Sequence, residues 1–341
     1  MPEKYSDLTK CAKCGNDGNK KCSKCFSASY CSKECQIGDL ARHKRLCLPV
    51  MVRDLGDKGR GLVASRDFNV GGLIFEEKSI VKDLSDVVTS FSSEIIGKHI
   101  VTELSKLSEE TQSDFFDLTR RQNVPTHTKY RDAFAIFLNN SIAGHLFLNL
   151  SLINHSCMPN TMWWMKSEQS QQEIQELRAI REIKVGEEIT ASYLDPFTSF
   201  LQNKQEKRDG LLKDWNFWCE CPKCDDSEED SLKNLRSELQ EFMNKRDLLR
   251  LKDPSIKKIK IQKKITLLSN QIVDGIIKLD EPSVFLTSWL QFKTLCLSGY
   301  WTGRSDLFEK GMKLFKDCVE TGKFTEALTS FKKWKESMNF K

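Results

Sequence analysis

Apolar and polar positions change their period several times along this 341-residue chain, and each change marks an element. Residues 62–66 and 71–77 are short apolar runs beside the glycine-rich turns Lys58-Gly-Arg-Gly61 and Gly71-Gly72, which predicts a strand, a turn and a second strand. From about residue 80 to 122 the apolar residues Val87, Val88, Phe91, Ile95, Ile96, Ile100, Leu104 and Leu107 recur at helical spacing and stop before Pro125. That predicts a helical insertion. Residues 130–143 predict a further apolar helix, 146–153 a buried strand, and 174–193 a strand, a Lys184-Val-Gly-Glu turn and a strand. After an acidic run at 225–230, which reads as a solvated linker, helical spacing continues over 232–341 with an αα-hairpin at 304–336. The fold class expected is α+β.

Residues 11–47 show no apolar period, and a string of ligands takes its place. Cys11, Cys14, Cys22, Cys25, Cys31, Cys35, His43 and Cys47 follow the spacing C-x2-C, C-x2-C, C-x3-C, H-x3-C, which supplies two tetrahedral zinc sites. The polar stretch at 16–21 between the early pairs has too little apolar content to fold unaided, so metal binding should supply most of the folding free energy. A disulfide knot is the competing reading. The first ten residues are polar and lack the apolar core of a secretory signal, so an intracellular, reducing compartment, cytoplasm or nucleus, is expected. The string resembles the MYND zinc finger, including the aromatic Tyr30 just before the fifth ligand. That resemblance implies interleaved pairs: Cys11, Cys14, Cys31 and Cys35 on one zinc, and Cys22, Cys25, His43 and Cys47 on the other.

Composition is that of an ordinary soluble chain, 39% hydrophobic and 30% charged, long enough for two or three domains. No apolar run approaches the roughly 18 residues of a membrane helix. Thirteen cysteines point to metal, and the two left over, Cys296 and Cys318, sit on apolar helical patterns and read as core. The formal charge of +5 misleads: eleven ligand thiolates with three zinc ions bring it to about zero, so strong nucleic-acid binding is not expected. The local run Lys257, Lys258, Lys260, Lys263 and Lys264, interleaved with Ile259, Ile261 and Ile265, reads as the solvated face of an amphipathic helix, with a nuclear-import or acidic-partner patch as the competing reading.

Four separated segments carry candidate chemistry: Lys58-Gly-Arg-Gly-Leu62, Asn154-His-Ser-Cys-Met-Pro-Asn160, Gly186-Glu-Glu-Ile-Thr-Ala-Ser-Tyr193 and Trp215-Asn-Phe-Trp-Cys-Glu-Cys-Pro-Lys-Cys224. In this order they resemble the SET domain of protein-lysine methyltransferases, and with the finger in front they resemble the SET and MYND (SMYD) family. The resemblance implies a MYND-type finger at 11–47, a β-rich SET domain at 58–195, a zinc-bound post-SET segment at 200–224 and a helical C-terminal region at 232–341. It implies S-adenosylmethionine as cofactor, held by Lys58, Gly59, Arg60, Gly61, Asn140, Asn154, His155, Tyr193 and Phe217, with Asn139 one position from Asn140. Tyr193 is the implied catalytic residue. Trp215 and Phe147 stand where relatives often carry tyrosine. Cys219, Cys221 and Cys224 need a fourth ligand, and similar proteins supply it from the asparagine box, here Cys157, giving a third zinc. The adjacent Glu187 and Glu188 would point to opposite faces of a strand and read as turn residues.

In the family the finger follows the glycine-rich SET segment, whereas here it precedes Lys58, so the finger is expected to be a tethered neighbour. The implied function is S-adenosylmethionine-dependent protein-lysine N-methylation by a monomer, with a lysine-bearing protein as substrate and the finger docking peptide partners, away from membranes. The alternative is a scaffold or transcriptional co-regulator whose SET domain transfers little.

Overall fold

The computed structural model describes residues 8–81, 92–122, 124, 129–142, 144–165, 174–194, 202–225, 237 and 241. Apart from residues 237 and 241, the expected helical C-terminal region with its basic helix and hairpin, Cys296 and Cys318 lies outside the described residues, as do most of the acidic run and residues 82–91 of the insertion. The chain divides into two compact units: Met1–Ala191 with Leu211–Trp218, and Ser192–Gly210 with Cys219–Lys341. No helix among the described residues is long and apolar enough to cross a membrane.

The larger unit opens with the finger. Strands β1 (Lys20–Lys21) and β2 (Ser29–Tyr30) pair antiparallel and are followed by two short helices, α1 (Lys33–Gly38) and α2 (Leu40–Leu46). Its core is small: Cys11, Cys22, Cys25, Ala28 and Tyr30. The Tyr30 ring is wholly buried, its hydroxyl donates to Asp39 Oδ2 at 2.9 Å, and Arg42 Nε donates to the other Asp39 oxygen at 2.7 Å. A buried carboxylate thus has two donors, as burial requires.

The finger runs directly into β3 (Val50–Asp54), a strand the apolar pattern does not announce, which pairs antiparallel with β4 (Arg60–Ala64). Ser27 Oγ donates to Leu48 O at 2.9 Å, Ser65 N to Pro49 O at 3.2 Å, and Ser65 Oγ to Cys25 O. The finger is therefore fixed to the sheet edge by hydrogen bonds from both sides of the junction. The expectation of a tethered neighbour is corrected on that ground.

The strand β5 (Leu73–Lys78) follows as expected, but it does not pair with β4. Two sheets form instead. One has the order β3-β4-β9-β6, where β6 is Asn154–His155 and β9 is Glu188–Ala191; the other has the order β5-β8-β7, where β7 is Thr161–Met165 and β8 is Ile174–Ala179. Every pairing is antiparallel except β6 with β9. The strand–turn–strand read at 174–193 therefore feeds two different sheets, with Gly186 at φ +88° turning the chain between them.

The insertion forms α3 (Ser93–Leu104) and α4 (Glu109–Phe116). Ile96, Ile100 and Leu104 recur every fourth residue and are buried, and Ser108 starts α4 by accepting from Thr111 N at 3.2 Å. Helix α5 (Arg131–Asn140) buries Ala133, Phe134, Ile136 and Phe137 against the same core. At roughly 1.5–3 kcal/mol for each fully buried large side chain, this cluster is the main stabiliser of the larger unit.

The run 146–153 is buried but is not a strand, contrary to expectation. Leu150–Leu152 turns into a 3-10 helix because the Glu77 carboxylate accepts from Asn149 N (2.8 Å), Asn149 Nδ2 (2.8 Å) and Leu150 N (2.9 Å), capping its start. A buried apolar run has no period that separates strand from helix. Glu77→Ala is expected to lower stability by about 1.5–3 kcal/mol, the scale of hydrogen bonds to a charged group, read as a reduced denaturant midpoint with unchanged m.

In the smaller unit, Asn203 Oδ1 accepts from Glu206 N at 2.9 Å while Glu206 Oε2 accepts from Asn203 N at 2.8 Å. This reciprocal cap starts α6 (Lys204–Trp215). Arg208 donates to Cys219 O at 2.8 Å and to Asp225 Oδ1 at 2.9 Å, bracing the segment that ends in α7 (Pro222–Asp225).

Candidate functional site

The eight cysteine and histidine residues expected to ligate in the finger fall into two groups. The donor atoms of Cys11, Cys14, Cys31 and Cys35 lie within 4.8 Å of one another, as do those of Cys22, Cys25, His43 and Cys47. This is the interleaving that the resemblance implies. Individual sulfur separations are 3.5 Å for Cys14–Cys31, 3.5 Å for Cys31–Cys35 and 3.9 Å for Cys22–Cys47, and Cys25 Sγ lies 3.7 Å from His43 Nε2. Zinc–sulfur bonds of about 2.3 Å in a tetrahedron place sulfurs about 3.8 Å apart, so the donor sets fit zinc.

Local structure sets these positions. Ser32 caps α1 by accepting from Cys35 N at 3.2 Å, which puts Cys31 and Cys35 one turn apart. Ser27 N points at Cys25 Sγ from 3.4 Å. The edge of the Tyr30 ring meets the His43 ring at 5.8 Å and 88°. Burial pushes the His43 imidazole towards its neutral, ligating form. The thiols cannot all ionise side by side. For Cys11 burial opposes ionisation, but the backbone N–H groups of Cys31, Cys14 and Lys13 outweigh it and hold the thiol at about 6, whereas neighbouring Cys35, Cys14 and Cys11 push Cys31 up to about 12. Burial and the charges of Cys25 and Cys22 push Cys47 to about 12. A divalent cation relieves this repulsion, as expected of a structural metal site.

The second constellation lies in the β3-β4-β9-β6 sheet. Lys58 ends a single 3-10 turn (Gly56–Lys58), Gly59 has φ +68° with open space where a side chain would be, and Arg60 opens β4 and donates to Asp117 O. Gly61 is different. A Cβ there would lie 2.5 Å from Leu55 Cδ1, 2.7 Å from Asn154 Nδ2 and 3.4 Å from Glu188 Oε1, so only glycine lets β4 approach the asparagine box.

Parallel pairing of Asn154 with Thr190 and of His155 with Ala191 brings that box beside β9. The buried His155 ring lies 5.9 Å from the Phe217 ring, tilted by 49°. Phe217 is held in the larger unit just beyond Asp214, which accepts from Arg121 Nη2 at 2.8 Å. Lys58, Gly61, Asn154, His155 and Phe217 are thus placed by the 3-10 turn before β4, by β4 itself, by the edge strand β6 and by the segment after α6.

Other candidates have different settings. Asn140 is buried at the end of α5 and its Nδ2 donates to Thr119 O and Ile136 O, both at 2.7 Å. Phe147 is wholly buried in the core. Tyr193 lies two residues beyond β9, half-buried, in the smaller unit. In that unit the sulfurs of Cys219, Cys221 and Cys224 lie within 4.8 Å of one another, with Cys219 and Cys224 buried. Cys157 belongs to the larger unit, where its Sγ is 3.3 Å from His155 Nε2.

Glu187 and Glu188 part as adjacent strand positions should. Glu187 closes the turn, accepting from Arg181, from Lys184 N at 3.1 Å and from Asn160 Nδ2 at 3.1 Å; burial raises its pKa, but these donors outweigh it and hold the carboxyl below the usual range. Glu188 is not a turn residue. It begins β9, accepting from Lys58 Nζ at 2.8 Å and from Asn154 Nδ2 at 3.0 Å. Sequence reasoning missed this role, and the signal available was the strand alternation that separates its face from that of Glu187.

Two family descriptions match the chain: the MYND finger over residues 11–47 and the SET domain over residues 59–194. The frog Xenopus laevis protein named N-lysine methyltransferase SMYD2-A is 26% identical over 233 residues, covering 64% of this chain and 50% of its own length. The human N-lysine methyltransferase SMYD2 is 28% identical over 235 residues, with the same coverage of both chains. The chain thus spans about half the length of the curated relatives it matches. The finger's paired donor sets and the sheet that joins the glycine-rich turn to the asparagine box agree with both matches, and in carrying a MYND finger and a SET domain the chain is similar to the SET and MYND domain (SMYD) proteins.

Proposed function

We propose that the chain is an S-adenosylmethionine-dependent protein-lysine N-methyltransferase. The observation that carries this reading is the junction of Lys58, Gly61, Asn154 and Glu188, where a glycine at the point of closest approach leaves room for charged and amide groups to meet a zwitterion. When bound, S-adenosylmethionine would supply a methyl group on a sulfonium: the neutral amine of a lysine would bond to the methyl carbon as the carbon–sulfur bond breaks, leaving a neutral thioether and a methylated ammonium that sheds a proton to solvent. Lys58 offers an ammonium to the cofactor's carboxylate, and Gly59 and Arg60 belong to the same turn. Asn154 and His155 serve the amino group and adenine, with Phe217 packing beside them. Asn140 contributes through its side-chain carbonyl or the backbone it braces. Tyr193, inside the matched SET region, orients the substrate amine.

The finger's two donor sets take two zinc ions, and Cys157 completes the Cys219, Cys221 and Cys224 set as the ligand of a third. The donor chemistry supports this, since four soft thiolates in a closed set make a structural site. The substrate is a lysine-bearing protein, and the finger docks peptide partners. The two named relatives support this reading; the chain works in the cytoplasm or nucleus, as a monomer with no strong nucleic-acid binding.

Equilibrium dialysis of the zinc-loaded chain against labelled S-adenosylmethionine tests the pocket. One cofactor per chain is expected, and no saturable binding would remove the reading. Gly61→Ala pushes a methyl group into Asn154, an overpacking cost of about 1–3 kcal/mol, so affinity should fall roughly tenfold or more in the same assay.

A further inference from the structure

Resting on the cofactor reading above, we propose that Glu188 is a positioning residue that sets the charge selectivity of this pocket, admitting a zwitterionic amino-acid end and rejecting anionic adenine nucleotides. Its side chain is 19% exposed, and its two oxygens divide between partners from separate elements. Oε2 accepts from Lys58 Nζ at 2.8 Å, and Oε1 accepts from Asn154 Nδ2 at 3.0 Å. Two consequences follow from the chemistry of these groups. With Nδ2 engaged, the Asn154 amide turns its Oδ1 away from Glu188, where it is an acceptor for an ammonium. Lys58, 61% exposed, keeps donor protons for a carboxylate while its charge is balanced by Glu188.

The balance decides which ligand is preferred. A lone lysine beside a glycine-rich turn attracts any anion, and phosphates of adenine nucleotides are abundant competitors that share the adenine. A lysine paired with a carboxylate presents no net charge, so a phosphate gains little and meets Glu188 as a like charge. A ligand with both an ammonium and a carboxylate meets complementary groups at both ends. The absence of a side chain at Gly61 is what permits the carboxylate and the amide to meet there, since a Cβ would crowd both.

The test compares S-adenosylmethionine and AMP on the zinc-loaded full chain by calorimetry. Glu188→Gln should weaken S-adenosylmethionine about tenfold and leave AMP unchanged or tighter, shifting the ratio of the two affinities by at least tenfold. A structural role would weaken both ligands together, and that result, or an unchanged ratio, overturns the proposal. Lys58→Gln provides a second arm at an exposed side chain. It leaves the Glu188 carboxylate unbalanced, so decarboxylated S-adenosylmethionine should gain relative to the intact cofactor, and an unaltered preference overturns the proposal. A native chain that binds no S-adenosylmethionine overturns the cofactor reading and this inference with it; a native chain that binds while both variants keep its preferences overturns this inference alone.

Discussion

Stripping zinc from the full chain is expected to unfold residues 11–47. The finger has a core of only five buried residues, three of them cysteines of the two donor sets, so a bound metal would supply what a larger domain obtains from burial. Structural zinc contributes about 10–16 kcal/mol of apparent binding free energy in fingers of this kind, more than the rest of the module provides. Because Cys25 O and Pro49 O accept from Ser65, loss of the finger should also loosen the β3–β4 edge. Backbone hydrogen exchange should therefore rise across 11–47 and extend into 50–64. Cys25→Ser should reproduce the effect at one site, with one zinc lost. A finger that keeps its protection after chelation would show that the donor sets are not structural metal sites.

Tyr193→Phe is expected to reduce methyl transfer by about 10²–10³-fold, the scale for removing one preorganised hydroxyl or amide from a reacting centre. The substrate lysine must be neutral to attack, and at pH 7 deprotonation from a pKa near 10.4 costs about 4.6 kcal/mol. Desolvation and a neighbouring positive charge lower that cost, after which the amine needs to be held in line. A tyrosine hydroxyl can accept from the amine and fix its lone pair, which phenylalanine cannot do. Cofactor affinity should change less than threefold, so the loss appears in turnover. Equal losses in binding and turnover would instead mark Tyr193 as a packing residue.

Much of this architecture is legible in the chain because metal ligands and glycine-dependent turns are read from spacing alone. The finger's eight ligands appear in order, and the resemblance supplies their pairing, which the donor groups reproduce. Helices α3 and α5 follow from fourth-residue apolar spacing. What escaped depends on contacts between distant segments. The 3-10 helix at Leu150–Leu152 exists because Glu77, on β5, caps it, and no local pattern announces an acceptor so remote in sequence. The strands at 71–77 and 174–179 are visible as runs, yet their pairing with each other is not, because register is set by the whole sheet. From sequence Glu188 reads as part of a turn, since its partners, Lys58 and Asn154, come from elements that meet only in the fold. The fixed position of the finger likewise rests on serine hydroxyls at 27 and 65, residues too common to signal a junction.

The most direct measurement is transfer of labelled methyl from S-adenosylmethionine into protein by the zinc-loaded chain, with Tyr193→Phe in parallel and the labelled residue identified after hydrolysis. The account predicts label in methyl-lysine with the native chain and almost none with the variant, both binding cofactor. A native chain that binds the cofactor yet labels no lysine in any extract, or a Tyr193→Phe chain that labels lysine as fast, would contradict it.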